Sequence, residues 1–183
     1  MAPDDQAPLP DWPEQIYQVF QDVGIRQVAY VPDAGHMRLI DLCASDRNIR
    51  TVALTTEEEG VAMLAGAWLG GQRGALLMQS SGVGNCINMF SMIQECRFPL
   101  LTIVTMRGQW GEANPWQVPM GRATPAALES VGVIVHNVDE ARRVPETVAA
   151  AARLAFQSTR AVAVLIGQRI IGSKTFETRK SDT

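Results

Sequence analysis

Six short runs of almost unbroken apolar residues constrain this chain most: 27–31 (QVAYV), 50–54 (RTVAL), 75–79 (ALLMQ), 99–105 (PLLTIVT), 131–135 (VGVIV) and 161–166 (AVAVLI). A strand with one wet face alternates apolar and polar residues. A strand that is apolar throughout is buried on both faces and needs a layer above and a layer below it. Amphipathic stretches separate the runs. Ile16, Val19, Phe20 and Val23 line one side of a segment that starts at Asp11 and Pro13 and stops at Gly24, and further helices are expected at 37–42, 57–69, 85–95, 124–130 and 139–157. The rhythm predicts an α/β protein: a single three-layer domain over 11–172, with a six-stranded, mainly parallel sheet and helices on both faces. Residues 1–10 and 173–183 read as flexible tails. Ligands of such sheets bind outside the carboxyl ends of the strands. The segments that matter are therefore 32–36, 55–58, 80–85 and 106–120.

Charge and cysteine content narrow the function. A net charge of -3 gives no electrostatic footprint for nucleic acid or for an anionic membrane. No apolar run reaches the length of about 18 residues that spans a bilayer, and the acidic, Pro-rich start does not read as a signal peptide. Three cysteines without CxxC spacing (Cys43, Cys86 and Cys96) suit reduced thiols in a cytoplasm, with no disulfide framework or zinc site. Ser-His-Asp sets, HExxH and metal-ligand clusters are missing, so hydrolase and metalloprotease readings lack residues, and no metal ligand is assigned.

Three strand-to-helix segments carry possible chemistry. ThrThrGluGluGluGly (55–60) meets a helix start, where acidic side chains favour the positive end of the dipole. Glu57, nearest the strand, is placed to face the crevice as an acid, a base or a partner for a ring nitrogen. SerSerGlyValGlyAsn (80–85) is Gly-rich, and reads either as a tight turn or as a turn whose amides receive an anion or a closely packed ligand. The segment 106–124 gathers Arg107, Gln109, Glu112, Asn114, Gln117 and Arg122 around Trp110 and Trp116. A loop of that length in a compact domain is usually functional or disordered. His36, behind the first turn, either reaches the crevice or caps the next helix.

Taken together, 57–68 (EEEGVAMLAGAW) and 77–88 (LMQSSGVGNCIN) resemble the pyrimidine-binding domain of thiamine diphosphate-dependent decarboxylases, above all those of sulfopyruvate and phosphonopyruvate. ValProAspAla (31–34) is similar to the family's first turn and GlnValProMetGlyArg (117–122) to its later loop; the likeness runs over about 14–170. It implies that Glu57 is catalytic: it bonds the aminopyrimidine nitrogen N1′, favouring the imino tautomer that takes the thiazolium C2 proton. The cationic thiazolium then acts as electron sink for the loss of CO2 from a 2-oxo acid. Pro32, Glu57, Ser81, Gly82, Val83 and Asn85 fall at cofactor-binding positions. Ala34, His36 and Gln117 fall at or beside substrate positions, and Arg107 and Arg122 each either face a sulfonate or phosphonate of the substrate or form a structural ion pair.

The family binds the diphosphate through Mg²⁺ on GlyAspGly and a downstream Asn, and GlyAspGly occurs nowhere in these 183 residues. The resemblance therefore implies the α subunit of a split enzyme. A β subunit would bind the diphosphate and Mg²⁺, in an assembly of at least α2β2 in the cytoplasm. The alternatives are a subunit of another thiamine diphosphate enzyme, either a carboligase or a plain 2-oxo acid decarboxylase, and a flavodoxin-like nucleotide-binding module.

Overall fold

A computed structural model describes residues 11–172, and the two expected tails lie outside the described residues. Asp11 caps the first helix, α1 (Trp12–Asp22), by accepting from the Glu14 amide, with a proline in the first turn. Then follow β1 (Ile25–Tyr30), α2 (Met37–Ser45), β2 (Arg50–Ala53), α3 (Glu57–Leu69), β3 (Arg73–Gln79), α4 (Ser80–Cys86) and α5 (Phe90–Cys96). The chain continues through β4 (Leu100–Thr105), α6 (Gln117–Ser130), β5 (Ile134–Val138), α7 (Val144–Ser158), β6 (Ala161–Ile166) and α8 (Gln168–Ile171).

The six strands form one sheet in the order β2-β1-β3-β4-β6-β5, and every pairing is parallel. The fold class is the one expected from the unbroken apolar runs. Successive side chains of each strand alternate between two cores. Ala75 and Leu77 of β3 join Ile16 and Phe20 of α1, Leu39 of α2 and Val148 of α7. Leu76 and Met78 join Val61 and Leu64 of α3, Val83 of α4, Phe90 of α5 and Leu128 of α6. Both layers are apolar, which is why the strand sequences do not alternate.

Three elements differ from the sequence reading. The fifth strand is Ile134–Val138 rather than 131–135, because α6 runs to Ser130 and Gly132 turns the chain at φ 77 before it can pair. The segment 80–85 is not a turn before a helix: it is itself α4, separated from α5 by Ile87–Met89. The polar loop ends at Trp116 and not 120, since α6 begins at Gln117 with Pro119 in its first turn, where no backbone N–H is required. The expected start at 124 and the adjacent Pro125 both lie inside it.

The strand order creates the site. The chain leaves β1 for α2 on one face of the sheet and leaves β3 for α4 on the other. The carboxyl ends of neighbouring β1 and β3 are therefore the topological switch point, the position at which open α/β sheets bind ligands.

Candidate active site at the carboxyl ends of β1 and β3

Glu57 is the first residue of α3, and only 8 % of it is exposed. Its burial follows from how closely α3 lies on the sheet. A Cβ at Gly60, one turn along, would stand 2.5 Å from Leu76 Cδ1 and 2.8 Å from Leu54 Cδ1. Glu59 turns back to accept from the Thr55 amide at 2.9 Å, fixing the helix start in the manner of a capping box. Glu57 points instead across to α4. Its Oε2 accepts from Asn85 Nδ2 at 2.8 Å, and its Oε1 accepts no hydrogen bond from the described residues.

Gly82 is the floor under this carboxylate. A Cβ there would lie 2.2 Å from Glu57 Oε1, 2.3 Å from Cδ and 2.5 Å from Cγ. The glycine is demanded by the close approach of a side chain from another helix, not by turn geometry. Gly84, two residues on, would place its Cβ no nearer than 3.4 Å to anything, the Met120 sulfur.

The remaining residues expected at the site fall into distinct surroundings. Ser81 donates from Oγ to Gln79 Oε1 at 2.8 Å. Val83 is fully buried in the core beneath α4, so only its backbone can face a ligand. Pro32 and Ala34 are exposed on the turn after β1. His36 is completely buried, which leaves it no surface of its own to offer a substrate. Its Nε2 lies 3.2 Å from Met78 O and 3.1 Å from Ile103 O, two acceptors, so Nε2 carries the hydrogen. Burial lowers its pKa against the opposing charge of Asp33, keeping the ring neutral.

Arg107 is committed to Glu112. Its Nε and Nη2 donate to Glu112 Oε2 and Oε1 at 2.7 and 2.6 Å, with 12 % and 4 % of the two side chains exposed. Of the two roles open to Arg107 this geometry is the structural ion pair. The pair strengthens a clamp on the loop: Gln168 Nε2 also donates to Glu112, while Gln168 Oε1 receives the amides of Gln109 and Trp110. The hydrogen bond from Arg107 draws the Glu112 pKa down to about 2 against the penalty of burial. Gln117 opens α6 with its Oε1 buried and unpartnered.

Gln168, Asp33, Gln79 and Thr105 were given no role in the sequence because their bonds join segments far apart along the chain, and Glu112 because its bonds form only once the loop folds. The polar loop composition pointed to Glu112, and Asp33 and Gln79 lay inside the motifs at 31–34 and 77–88. Three buried side-chain atoms lack a partner among the described residues: His36 Nδ1, Glu58 Oε2 and Gln117 Oε1. His36 Nδ1 is sealed in the interior, while Glu58 and Gln117 lie in the first turns of α3 and α6. Next to α4 an apolar hollow of about 630 Å³ is lined by Pro115, Trp116, Pro119, Met120 and Ala123, with Trp116 84 % exposed. No group of three or more His, Cys, Asp or Glu among the described residues is placed to hold a metal ion.

The six-stranded parallel sheet with helices on both faces defines the class as an open α/β protein, with the buried Glu57 carboxylate packed between α3 and α4. Residues 12–124 match the family described as thiamine pyrophosphate enzyme, N-terminal TPP binding domain, and the chain belongs to that family. It is 38% identical over 121 residues to the sulfopyruvate decarboxylase subunit alpha of Methanococcus maripaludis, covering 66% of this chain and 72% of the relative. With the subunit of the same description from Methanothermobacter thermautotrophicus it shares 32% over 157 residues, 85% and 95% of the two chains. The phosphonopyruvate decarboxylase of Streptomyces hygroscopicus is 40% identical over 104 residues, 56% of this chain but 26% of that one. A solved 2-oxoglutarate:ferredoxin oxidoreductase from Magnetococcus marinus, with 2-oxoglutarate, coenzyme A and succinyl-CoA bound, superposes with a TM-score of 0.74 at 14% identity. The match covers 88% of this chain and 29% of that one, and shows the shared fold.

Proposed function

We propose that this chain is the α subunit of a split thiamine diphosphate-dependent 2-oxo acid decarboxylase of the sulfopyruvate or phosphonopyruvate type. It is a carboxy-lyase working in the cytoplasm with a β subunit that binds the diphosphate and Mg²⁺, in an assembly of at least α2β2. The observation that carries the reading is Glu57: a buried carboxylate with one oxygen held by Asn85 and the other without a donor among the described residues. Such a carboxylate fits an N–H delivered from outside the chain, and a protonated aminopyrimidine nitrogen is one. A charge-assisted hydrogen bond from such a donor to a carboxylate in a shielded site is strong. Asn85 fixes the carboxylate rotamer and Gly82 lets it lie flat against α4.

When bound, thiamine diphosphate supplies the cationic thiazolium that accepts the electron pair released with CO2. This chain's part is to orient the ring through Glu57, to line the cofactor with the backbone of 81–83 and the turn at Pro32, and to exclude water. Ala34 and Gln117 border the substrate, with the free Gln117 Oε1 an acceptor for it. Arg122, which has no acidic partner among the described residues, is the cation left for a sulfonate or phosphonate, since Arg107 is neutralised by Glu112. The apolar hollow at Trp116 adjoins α4 and supports burial under a second chain. The flavodoxin-like alternative is set aside by the family. The glycines of 80–85 lie in a helix packed against the Glu57 carboxylate, not in a phosphate loop.

Co-expression with a subunit carrying GlyAspGly tests the reading. The complex should bind thiamine diphosphate and Mg²⁺ and release CO2 from sulfopyruvate or phosphonopyruvate in preference to pyruvate. A complex that binds the cofactor yet forms only ligation products would make it a carboligase subunit, and a chain that never pairs with such a subunit would refute the split arrangement.

A further inference from the structure

The turn after β1 contains a carboxylate with three donors on it. Asp33 Oδ2 accepts from Thr105 Oγ1 at 2.7 Å and from the Gly35 amide at 3.1 Å, and Oδ1 accepts from Gln79 Nε2 at 3.1 Å. Gln79 in turn accepts from Ser81 Oγ through Oε1 at 2.8 Å. An unbroken polar run therefore crosses the carboxyl ends of three neighbouring strands: Thr105 at the end of β4, Asp33 beyond β1 and Gln79 at the end of β3. It stops on the second residue of α4, beside Gly82. Ser80 also ties this helix start: its Oγ receives the Arg107 amide and its carbonyl receives Thr124 Oγ1.

We propose that Asp33 is a positioning residue. Through Gln79 and Ser81 it sets where α4 begins, and so places the Gly82 floor and the Asn85 donor that together hold the Glu57 carboxylate. Asp33 makes no contact with Glu57, and its action is geometric: what it supplies is three accepting lone pairs, not a charge. An asparagine can reproduce this. Its carbonyl oxygen would keep Thr105 and Gly35, its amide would donate to a flipped Gln79 Oε1, and Gln79 Nε2 would then donate to Ser81 Oγ. An alanine reproduces none of it.

The role rests on the proposed function only where catalysis is read. The structural arm stands alone, and the two are measured together. Amide hydrogen exchange of the full chain should show 79–86 opening about tenfold or more faster in Asp33→Ala, the loss expected for a charged hydrogen bond. Exchange in α7 should stay at the wild-type rate. In the assembled enzyme, kcat should fall about 10²-fold, as for a roughly 1 Å misplacement, with KM nearly constant. Asp33→Asn should restore both readouts to within several-fold of wild type. If Asp33→Ala does not fold, Thr105→Val removes a single bond of the run and should move both readouts the same way by several-fold.

Wild-type exchange at 79–86 in Asp33→Ala would overturn the proposal. Equal damage in Asp33→Asn and Asp33→Ala would also overturn it, by making the charge the cause. Loosening that extends to α7 would overturn it in favour of general support of the fold. Faster exchange at 79–86 in a complex that lacks decarboxylase activity even as wild type would uphold the placement of α4 while refuting the decarboxylase reading.

Discussion

Replacing Gly82 by alanine adds one methyl group to a wall already in contact with Glu57. The added Cβ would stand 2.2 Å from Oε1, 2.3 Å from Cδ and 2.5 Å from Cγ, against an ordinary separation of about 3.5 Å. The carboxylate must therefore withdraw by about 1.3 Å, or α4 must shift by as much. Either movement breaks the 2.8 Å bond from Asn85, which as a bond to a charged group contributes about 1.5–3 kcal/mol. A displacement on the order of 1 Å in a positioning group costs about 10²-fold in rate, or about 2.7 kcal/mol. We expect kcat of the assembled enzyme to fall about 10²-fold in Gly82→Ala. Stability should drop by about 1–3 kcal/mol from overpacking. Gly84→Ala is the matched control: in the same helix its Cβ meets only the Met120 sulfur at 3.4 Å. It should fold at least as well as wild type, gaining up to about 1 kcal/mol of helix propensity. Steady-state kinetics and urea titration of the two variants check the argument. Equal, near-wild-type rates in both would refute a floor role for Gly82.

Glu112→Ala strands Arg107 with little solvent and should cost about 3 kcal/mol in a urea titration. The pH dependence has a definite sign. The Glu112 pKa is depressed to about 2, so its stabilisation is present above the unfolded value of about 4.5 and is lost as pH falls from there towards 2. The stability gap between wild type and Glu112→Gln should shrink across that window. Burial pushes the thiols of Cys43 and Cys86 up to about 12, while Cys96 is exposed. Alkylation at pH 8 followed by mass spectrometry should label Cys96 and spare the other two. Trp116→Ala should weaken association with the partner subunit by about 2 kcal/mol or more, measurable by sedimentation, if the hollow is an interface anchor.

The sheet was legible because its strands announce burial on both faces, and the four segments singled out by the carboxyl-end rule all follow the carboxyl ends of parallel strands. The helix Glu57–Leu69 was placed to the residue, since GlyGly stops it and three acids start it. What escaped was anything decided by contacts between distant segments. The glycines at 82 and 84 look like turn residues in sequence, yet both lie in α4, and the approach of Glu57 from α3 demands the glycine at 82 but not the one at 84. Pro125 signals a helix start, but α6 extends back to Gln117 beside the Arg107 carbonyl, which a Cβ at Gly121 would approach to 1.9 Å. Arg107 looked available to a substrate because its partner, Glu112, binds through a folded loop. Asp33 was part of a recognisable turn, yet its bonds span 46 and 72 residues, a distance at which no local pattern operates.

The most direct measurement is deuterium exchange at thiazolium C2 in the assembled enzyme carrying Glu57→Gln, a change that keeps the size and the Asn85 contact but removes the charge. Our account expects a folded complex that still binds thiamine diphosphate and exchanges the C2 proton at least about 10²-fold more slowly than wild type. Exchange at the wild-type rate in that complex would contradict it.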